Sequence, residues 1–285
     1  MLKMKDVTKE ISESTFVFFD VETTGMSPAF GHRICELALV QWQEGKVVAT
    51  FHSLINPGRP ISPAASAINC ITDSMVAQAP YFHEVAGDIL RFLRETIIVG
   101  HNVSFDLSFL NSHLRNIDLP EVDNTVLDTL ALARRCYNFP SNSLGNIAKT
   151  LALPIQAQHR ALDDALLTKD IFARFMQDFQ GKNISEIGQL IELQGGEITV
   201  PSSDKPVLPT ALSEALKNKT PLFIKYISEY GEELQRIVEP LQVKIEGQDI
   251  YLVATCQFQE TELVLRLDQI MEMKILPVAP VQELA

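Results

Sequence analysis

The sequence predicts an α/β domain followed by a smaller, mostly-β one. Three observations carry this reading. Strand-like and helix-like segments alternate through the first 180 or so residues, the pattern of a sheet flanked by helices. From about Gln194 to Thr210 the chain reads QGGEITVPSSDKPVLPT, which is a linker composition without helical period. Beyond it, short runs of alternating hydrophobic residues follow one another, separated by small polar turns. The expected division is an α/β domain over 1–180, a linker over 181–209 and a β domain over 210–285.

The elements follow in order. TFVFFD (15–20), ICELALVQW (34–42) and KVVATFHSLI (46–55) are rich in β-branched and aromatic residues and are expected as strands. Phe82, Val85, Ala86, Ile89, Leu90 and Leu93 recur with the 3.6 period of a helix packed on a sheet. TIIVG (96–100) is a short strand, a helix is expected over roughly 104–116, and NTVLDT (124–129) is another strand ending. A long helix is expected from Ala161 to Phe179, its buried side drawn from Leu162, Ala165, Leu166, Ile171, Phe172, Phe175 and Phe179. After the linker a short helix (210–218) precedes four β-type runs, PLFIKYI, ELQRIVEPLQVKIE, DIYLVATCQF and TELVLRLDQIMEMKIL, so a small antiparallel sheet or barrel is expected.

Composition narrows the function classes. Of 285 residues, 46% are apolar and 21% charged, which is ordinary globular material. The four cysteines (Cys35, Cys70, Cys136, Cys256) form no CxxC pair, which argues against a disulfide framework or a zinc ribbon. No apolar stretch approaches a membrane span and the start, MLKMKDVTKE, has no apolar signal region, so the expected location is cytoplasmic, without membrane contact. The net charge of −12 argues against coating nucleic acid by bulk electrostatics. It leaves room for an enzyme that holds cations with carboxylates and engages a few phosphates.

Three acidic constellations then stand out. In FFDVETTG, Asp20 and Glu22 are two apart at a strand end, so both leave the same face. They are either solvated residues at a strand–loop junction or oxygen ligands of Mg²⁺ or Mn²⁺. In IIVGHNVSFDLSFL, a strand ends at Gly100 and Asp106 sits in the first turn of the next helix, where an acid also complements the helix dipole. In HRALDDALLTKDIF, His159 and Asp164 straddle the start of the long helix, either as solvated residues or as parts of a site. An α/β sheet collects strand ends and helix starts on one edge, where ligands bind, so the four carboxylates and His159 are expected to converge there. Four carboxylates around two cations roughly 3.5–4 Å apart are what in-line phosphoryl displacement requires, and a His titrating near neutrality can take a proton beside them.

FFDVETTG, HNVSFDLSFL and HRALDDA resemble the three motifs of the DEDDh family of 3′→5′ exonucleases, which includes the proofreading epsilon subunit of bacterial DNA polymerase III. The likeness covers about residues 14–180 and includes INPGRPISPAASAINCITDSMV, DTLALARR and SLGNIAKTLALP. It implies a ribonuclease H-like fold, with Asp20, Glu22, Asp106 and Asp164 as ligands of two Mg²⁺ or Mn²⁺ ions and His159 as general base. Asp163 falls off the motif position. Thr23, Thr24 and Gly25, with Asn102 and Phe105, are implied to hold the 3′-terminal nucleotide. Where many relatives carry His-Gly, this chain has Asn69-Cys70. The implied activity is hydrolysis of single-stranded DNA ends to nucleoside 5′-monophosphates. The alternatives are an exoribonuclease or oligoribonuclease, or a regulatory nucleic-acid-binding protein.

The order of motifs after residue 210 is similar to the WYL domain, a small SH3-like β-barrel of bacterial regulators. The name-giving Trp is Ile250 here, and the basic residue before the final Ile is Gln269. The resemblance implies a nucleotide or nucleic-acid ligand held by Tyr226, Arg236, Tyr251 and Arg266. The tyrosines are alternatively half-buried strand residues, and the arginines alternatively pair with Glu239 and Asp268. Gln189 to Leu193 carries a faint likeness to a sliding-clamp docking motif, but Glu192 stands where an apolar residue belongs, and a solvated helix end is expected.

Overall fold

The computed structural model of the protein describes residues 8–25, 27–28, 31–155, 159–199, 208, 210–228, 232–246, 249–258 and 261–276. Contacts group the chain into two units. The first holds most of the N-terminal region; the second comprises Thr23–His32, Pro60–Ile71 and the C-terminal region.

The N-terminal elements run β1 (Phe16–Thr23), β2 (Ile34–Gln43), β3 (Lys46–Leu54), α1 (Pro63–Asn69), α2 (Asp73–Val76), α3 (Phe82–Leu93), β4 (Ile97–Gly100), α4 (Val103–Arg115), β5 (Val126–Asp128), α5 (Thr129–Cys136), α6 (Leu144–Thr150), α7 (Ala161–Gln180) and α8 (Ile187–Gln194). The five strands form one sheet in the order β3-β2-β1-β4-β5. β1, β4 and β5 are parallel, while β2 and β3 are antiparallel, so the sheet is mixed.

Strand alternation divides the core into two layers. Phe16, Phe18, Ala38, Val40, Ile97, Val99 and Leu127 face one side, where Phe172, Phe175 and Phe179 of α7 pack on them. Val17, Phe19, Val21, Leu37, Leu39, Ile98 and Val126 face the other, against α3 and α4. Phe172 lies 5.1 Å from Phe16 and 5.6 Å from Phe18, ring centre to centre. Each such fully buried ring contributes about 1.5–3 kcal/mol of transfer free energy. The face of α7 differs from expectation in one turn. Leu167 and Thr168 are buried, whereas Leu162 and Leu166 are partly covered, because the helix also buries Asp164 on its inner face.

Two local devices fix the strand ends that matter below. Gly100 is required where β4 passes into α4, since a Cβ there would come within 2.7 Å of Val103 Cγ2 and 3.2 Å of the Phe19 carbonyl. At the free edge of β5, buried Gln194 imitates a neighbouring strand: its Nε2 donates to the Val126 carbonyl (3.1 Å) and its Oε1 accepts the Asp128 N–H (2.9 Å). Gln194 ends α8, whose Ile187, Leu190 and Ile191 are buried in the α7-side core. The segment 189–193 is therefore not the solvated helix end that its sequence suggests, and its apolar residues are not free to dock on a partner.

The C-terminal elements are α9 (Thr210–Asn218), β6 (Leu222–Ile227), β7 (Glu233–Glu246), β8 (Asp249–Cys256), β9 (Glu262–Arg266) and β10 (Ile270–Ile275). The last expected run is broken by a 3-10 turn at Leu267–Gln269, giving five strands rather than four. All pairings are antiparallel, in the order β10-β6-β7-β8-β9. Among the described residues β9 and β10 form the two edges, and no pairing closes them into a barrel. Leu222, Ile224, Val238, Leu252, Ala254 and Leu265 supply the core with Leu212 and Ala215 of α9. No helix among the described residues is long and apolar enough to cross a membrane.

One buried histidine ties the sheet to α4. His113 Nε2 accepts the Ile34 N–H at 3.1 Å, with its ring 4.6 Å from that of Phe82. Burial, and then the Arg33 charge, push its pKa down to about 4. Protonation would set donor against donor, so the native state keeps the ring neutral. The unfolded chain takes up the proton near its ordinary value, so this contribution is present above that value and is lost as pH falls towards about 4. Urea unfolding at pH 7 and pH 5 should show a stability loss smaller by roughly 2 kcal/mol in His113→Gln than in the parent.

Candidate active site

The parity that sends Phe16 and Phe18 towards α7 continues to the end of β1, so Asp20 and Glu22 emerge on that same face. Asp164, in the first turn of α7 and nine-tenths buried, meets them. Asp20, Glu22 and Asp164 each offer an oxygen within 4.8 Å of the others. Asp106 arrives from the other layer on α4, is 4% exposed, and accepts the Val21 N–H on Oδ1 at 3.0 Å. It stands outside the mutually close trio but acts on it electrostatically. Burial, and next the charge of Asp106, then those of Glu22 and Asp164, hold Asp20 well above the usual carboxylate range. Burial pushes Asp106 up to about 8 despite its hydrogen bond to Val21. Asp164 is raised by burial, which outweighs the N–H it accepts from His159.

His159 lies just before α7 with its side chain exposed and φ at +62°, the left-handed region that costs a β-carbon-bearing residue energy. Its backbone N–H donates to Asp164 Oδ2 at 3.0 Å. Arg160 is the N-cap of α7, and its guanidinium grips Glu36 of β2, whose side chain is fully buried. Burial by itself pushes Glu36 up, but Arg160, His52 and the Ala161 N–H together bring it below the usual range. Glu36 and Arg160 were not singled out by sequence. The available signal was a lone acid inside the apolar run ICELALV, at a parity shared with Ala38 and Val40.

The residues expected to hold a nucleotide follow β1 or start α4. Thr23 donates its hydroxyl to the Gly25 carbonyl at 2.6 Å, and Thr24 is fully buried. Gly25 is required because any Cβ would lie 2.5 Å from the His32 ring, itself fixed by the Ser27 N–H. Asn69 donates to the Thr23 carbonyl at 3.3 Å and accepts the Ile71 N–H at 3.0 Å, so the residue replacing the relatives' His supports the strand end. Cys70 closes α1 at φ +58°, a left-handed cap that suits the glycine of those relatives. Asn102 is exposed at φ +65°, its N–H held by Asp128 Oδ1 at 2.9 Å; Asp128 also caps α5 through the Leu130 N–H. Phe105 is half-buried, 5.0 Å from the Phe109 ring. Asp128 was missed as well: its strand-end position gave no sign that it serves two turns.

Residues 17–172 match the protein-family model described as Exonuclease, and 208–275 match that of the WYL domain. The chain belongs to the exonuclease family. Residues 17–172 form that family's domain, and a WYL domain follows it. The exonuclease part is 37% identical over 183 residues to DNA polymerase III PolC-type of Caldanaerobacter subterraneus subsp. tengcongensis and 34% over 187 residues to that of Bacillus subtilis. Those alignments span 63% and 65% of this chain but only 13% of each relative. Exonuclease X in complex with 5′ overhanging duplex DNA superposes with a TM-score of 0.51 at 31% identity, covering 63% of this chain and 99% of that one. E. coli Exonuclease I in complex with a dT13 oligonucleotide shares the fold at a TM-score of 0.54 and 20% identity, covering 85% and 55%.

The exonuclease's C-terminal quartet does not gather on one face. Tyr226 is 9% exposed within the sheet's core, and Arg236 pairs with Ile224 on that same face. Tyr251 and Arg266 are direct cross-strand partners on the opposite face, since Leu252 and Leu265 between them point into the core. Arg236 donates to the Gln235 carbonyl, and Glu239 accepts from Gln257, so the expected Arg236–Glu239 pair is not formed. The Asp268 side chain lies outside the described residues.

The acidic cluster fits divalent cations, the cofactors usual in this family. All donors are hard carboxylate oxygens, and burial together with the neighbouring carboxylates raises Asp20, a load that a divalent cation would relieve. Binding requires ionised ligands, so a cation must displace the proton that Asp106, raised to about 8, holds near pH 7. Calorimetric titration with Mn²⁺ in buffers of different ionisation enthalpy should show proton release at pH 7. The affinity should rise between pH 6 and pH 8 by up to about tenfold per pH unit for each proton displaced.

Proposed function

We propose that this chain is a two-metal-ion 3′→5′ exonuclease that degrades single-stranded DNA ends to nucleoside 5′-monophosphates. The observation that supports it most is the meeting of Asp20, Glu22 and Asp164, with Asp106 pressing on Asp20 from the opposite layer. In this reading those four residues hold two Mg²⁺ or Mn²⁺ ions. When bound, the cations supply Lewis-acid neutralisation of the charge that grows on the phosphate and the leaving oxygen.

The chain's own residues do the rest. The exposed imidazole of His159 accepts the proton of the attacking water. The water oxygen bonds to phosphorus as the P–O3′ bond breaks, and the released nucleotide keeps its 5′-phosphate while the shortened strand regains a 3′-hydroxyl. Thr23, Thr24 and Gly25 bind the terminal nucleotide, with Asn102 and the face of Phe105 offered to its sugar and base. The DNA preference follows the PolC-type relatives and Exonuclease X rather than any 2′-hydroxyl contact. In the WYL domain, the cross-strand pair Tyr251–Arg266 suits a base and a phosphate of a nucleotide or single strand.

The test is time-resolved digestion of 5′-labelled single-stranded DNA and RNA of equal sequence, with Mn²⁺ or EDTA. A metal-dependent descending ladder is expected, faster on DNA. Asp20→Ala should slow it about a thousandfold, the loss of several kcal/mol of charge stabilisation. Faster RNA cleavage would move the substrate class to RNA, and no cleavage of either would overturn the reading.

A further inference from the structure

Glu36 is out of place as a purely structural residue. It lies near the start of β2 with a fully buried side chain, and it adds negative charge to the surroundings of Asp20 and Asp164. A buried ion pair is weak evidence for stability, because an apolar pair of similar volume commonly serves the fold as well. Its partners show what it does instead. Arg160 Nε reaches both carboxylate oxygens at 3.1 and 3.0 Å, and Nη2 reaches Oε1 at 2.5 Å. The Ala161 N–H donates to Oε2 at 3.0 Å, and His52 Nε2 bonds Oε1 at 2.8 Å. Two of these partners are the residues immediately after His159.

The clamp therefore grips the chain where the backbone is strained. His159 holds φ at +62°. Such conformations persist where the surroundings over-determine them. Beyond the clamp, the Asp164 N–H bonds the Arg160 carbonyl at 3.0 Å, and Asp164 Oδ2 returns to the His159 N–H. Arg160 thus sits between the two groups and is fixed to the sheet by its side chain. We propose that Glu36 and Arg160 are positioning residues of the exonuclease centre: their buried pair anchors the start of α7 to β2 and so places both His159 and the Asp164 carboxylate. This rests on the exonuclease reading above. Arg rather than Lys is needed, since only the planar fork engages both oxygens.

The full chain carrying Arg160→Ala tests it. The expected result on single-stranded DNA with Mn²⁺ is a kcat lowered about 100-fold, as for a reacting group misplaced by 1 Å, with KM little changed. Calorimetric Mn²⁺ affinity should fall as well, through Asp164. The Arg160 side chain is 34% exposed, so millimolar guanidinium can enter the space it leaves; it should restore kcat, and equal methylammonium should not. Wild-type kcat and Mn²⁺ affinity in Arg160→Ala, or a loss that guanidinium leaves untouched, would overturn the proposal. Should Arg160→Ala fail to fold, Arg160→Lys retains the charge and the stem. A reduced kcat with a native melting temperature supports the clamp, and full activity overturns it. A wild-type chain that cleaves nothing would refute the exonuclease reading alone, because Mn²⁺ affinity in the variants still reports on the clamp.

Discussion

The constraint on which this architecture turns is the crowding of unlike-placed but like-charged carboxylates at the end of β1. That strand is central, with a packed layer on each face, so the half-buried acids at its end and the buried acids that meet them lose much of their water. Asp20 and Glu22 inherit the α7-facing parity of Phe16 and Phe18. Asp164 meets them from α7, and Asp106 comes from α4 through the backbone of Val21. Desolvation and repulsion then raise the pKa of three of the four acids. The fold carries this electrostatic load because a cation, when bound, converts it into affinity; stability yields to function at such a site.

Another buried carboxylate takes the opposite course. Glu36 is as buried as Asp106, yet its pKa is lowered, because a guanidinium, an imidazole and a backbone N–H converge on it. Pairs of carboxylates whose surroundings push their titrations apart divide the labour of a site. Glu36 and Asp128 hold backbone in place, the one at the start of α7, the other at Asn102 and at the start of α5. Asp20 and Asp106 are left under-compensated and ready for a cation. Gln194 extends the scaffold, since by pairing the edge of β5 it fixes the strand that carries Asp128.

Much of the fold was legible because strands and helices here announce themselves by period: the 2-residue alternation of β1 and the 3.6-residue period of α3 and α7 are strong in the sequence. The trio of site acids was legible for the same reason, as strand parity brings Asp20 and Glu22 to one face. What was not legible depends on contacts distant in sequence. Glu36 meets Arg160 across 124 positions, and Gln194 meets Val126 across 68. Leu190 and Ile191 sit in a segment whose polar neighbours suggest solvent, yet they are buried against the core. In the C-terminal sheet, the separation of Tyr226 and Arg236 from Tyr251 and Arg266 depends on register, which short motifs do not specify.

If uncompensated carboxylate repulsion is what the site stores, neutralising one member should stabilise the metal-free protein while removing its response to metal. Thermal unfolding of wild type and Asp20→Asn, each in EDTA and in Mn²⁺, measures this directly. The account predicts that in EDTA the variant melts above wild type. Mn²⁺ should raise the wild-type midpoint by several degrees, about 2–4 °C for each kcal/mol of linkage in a domain this size, and leave the variant nearly unmoved. A variant that melts below wild type in EDTA, with Mn²⁺ shifting neither protein, would contradict it.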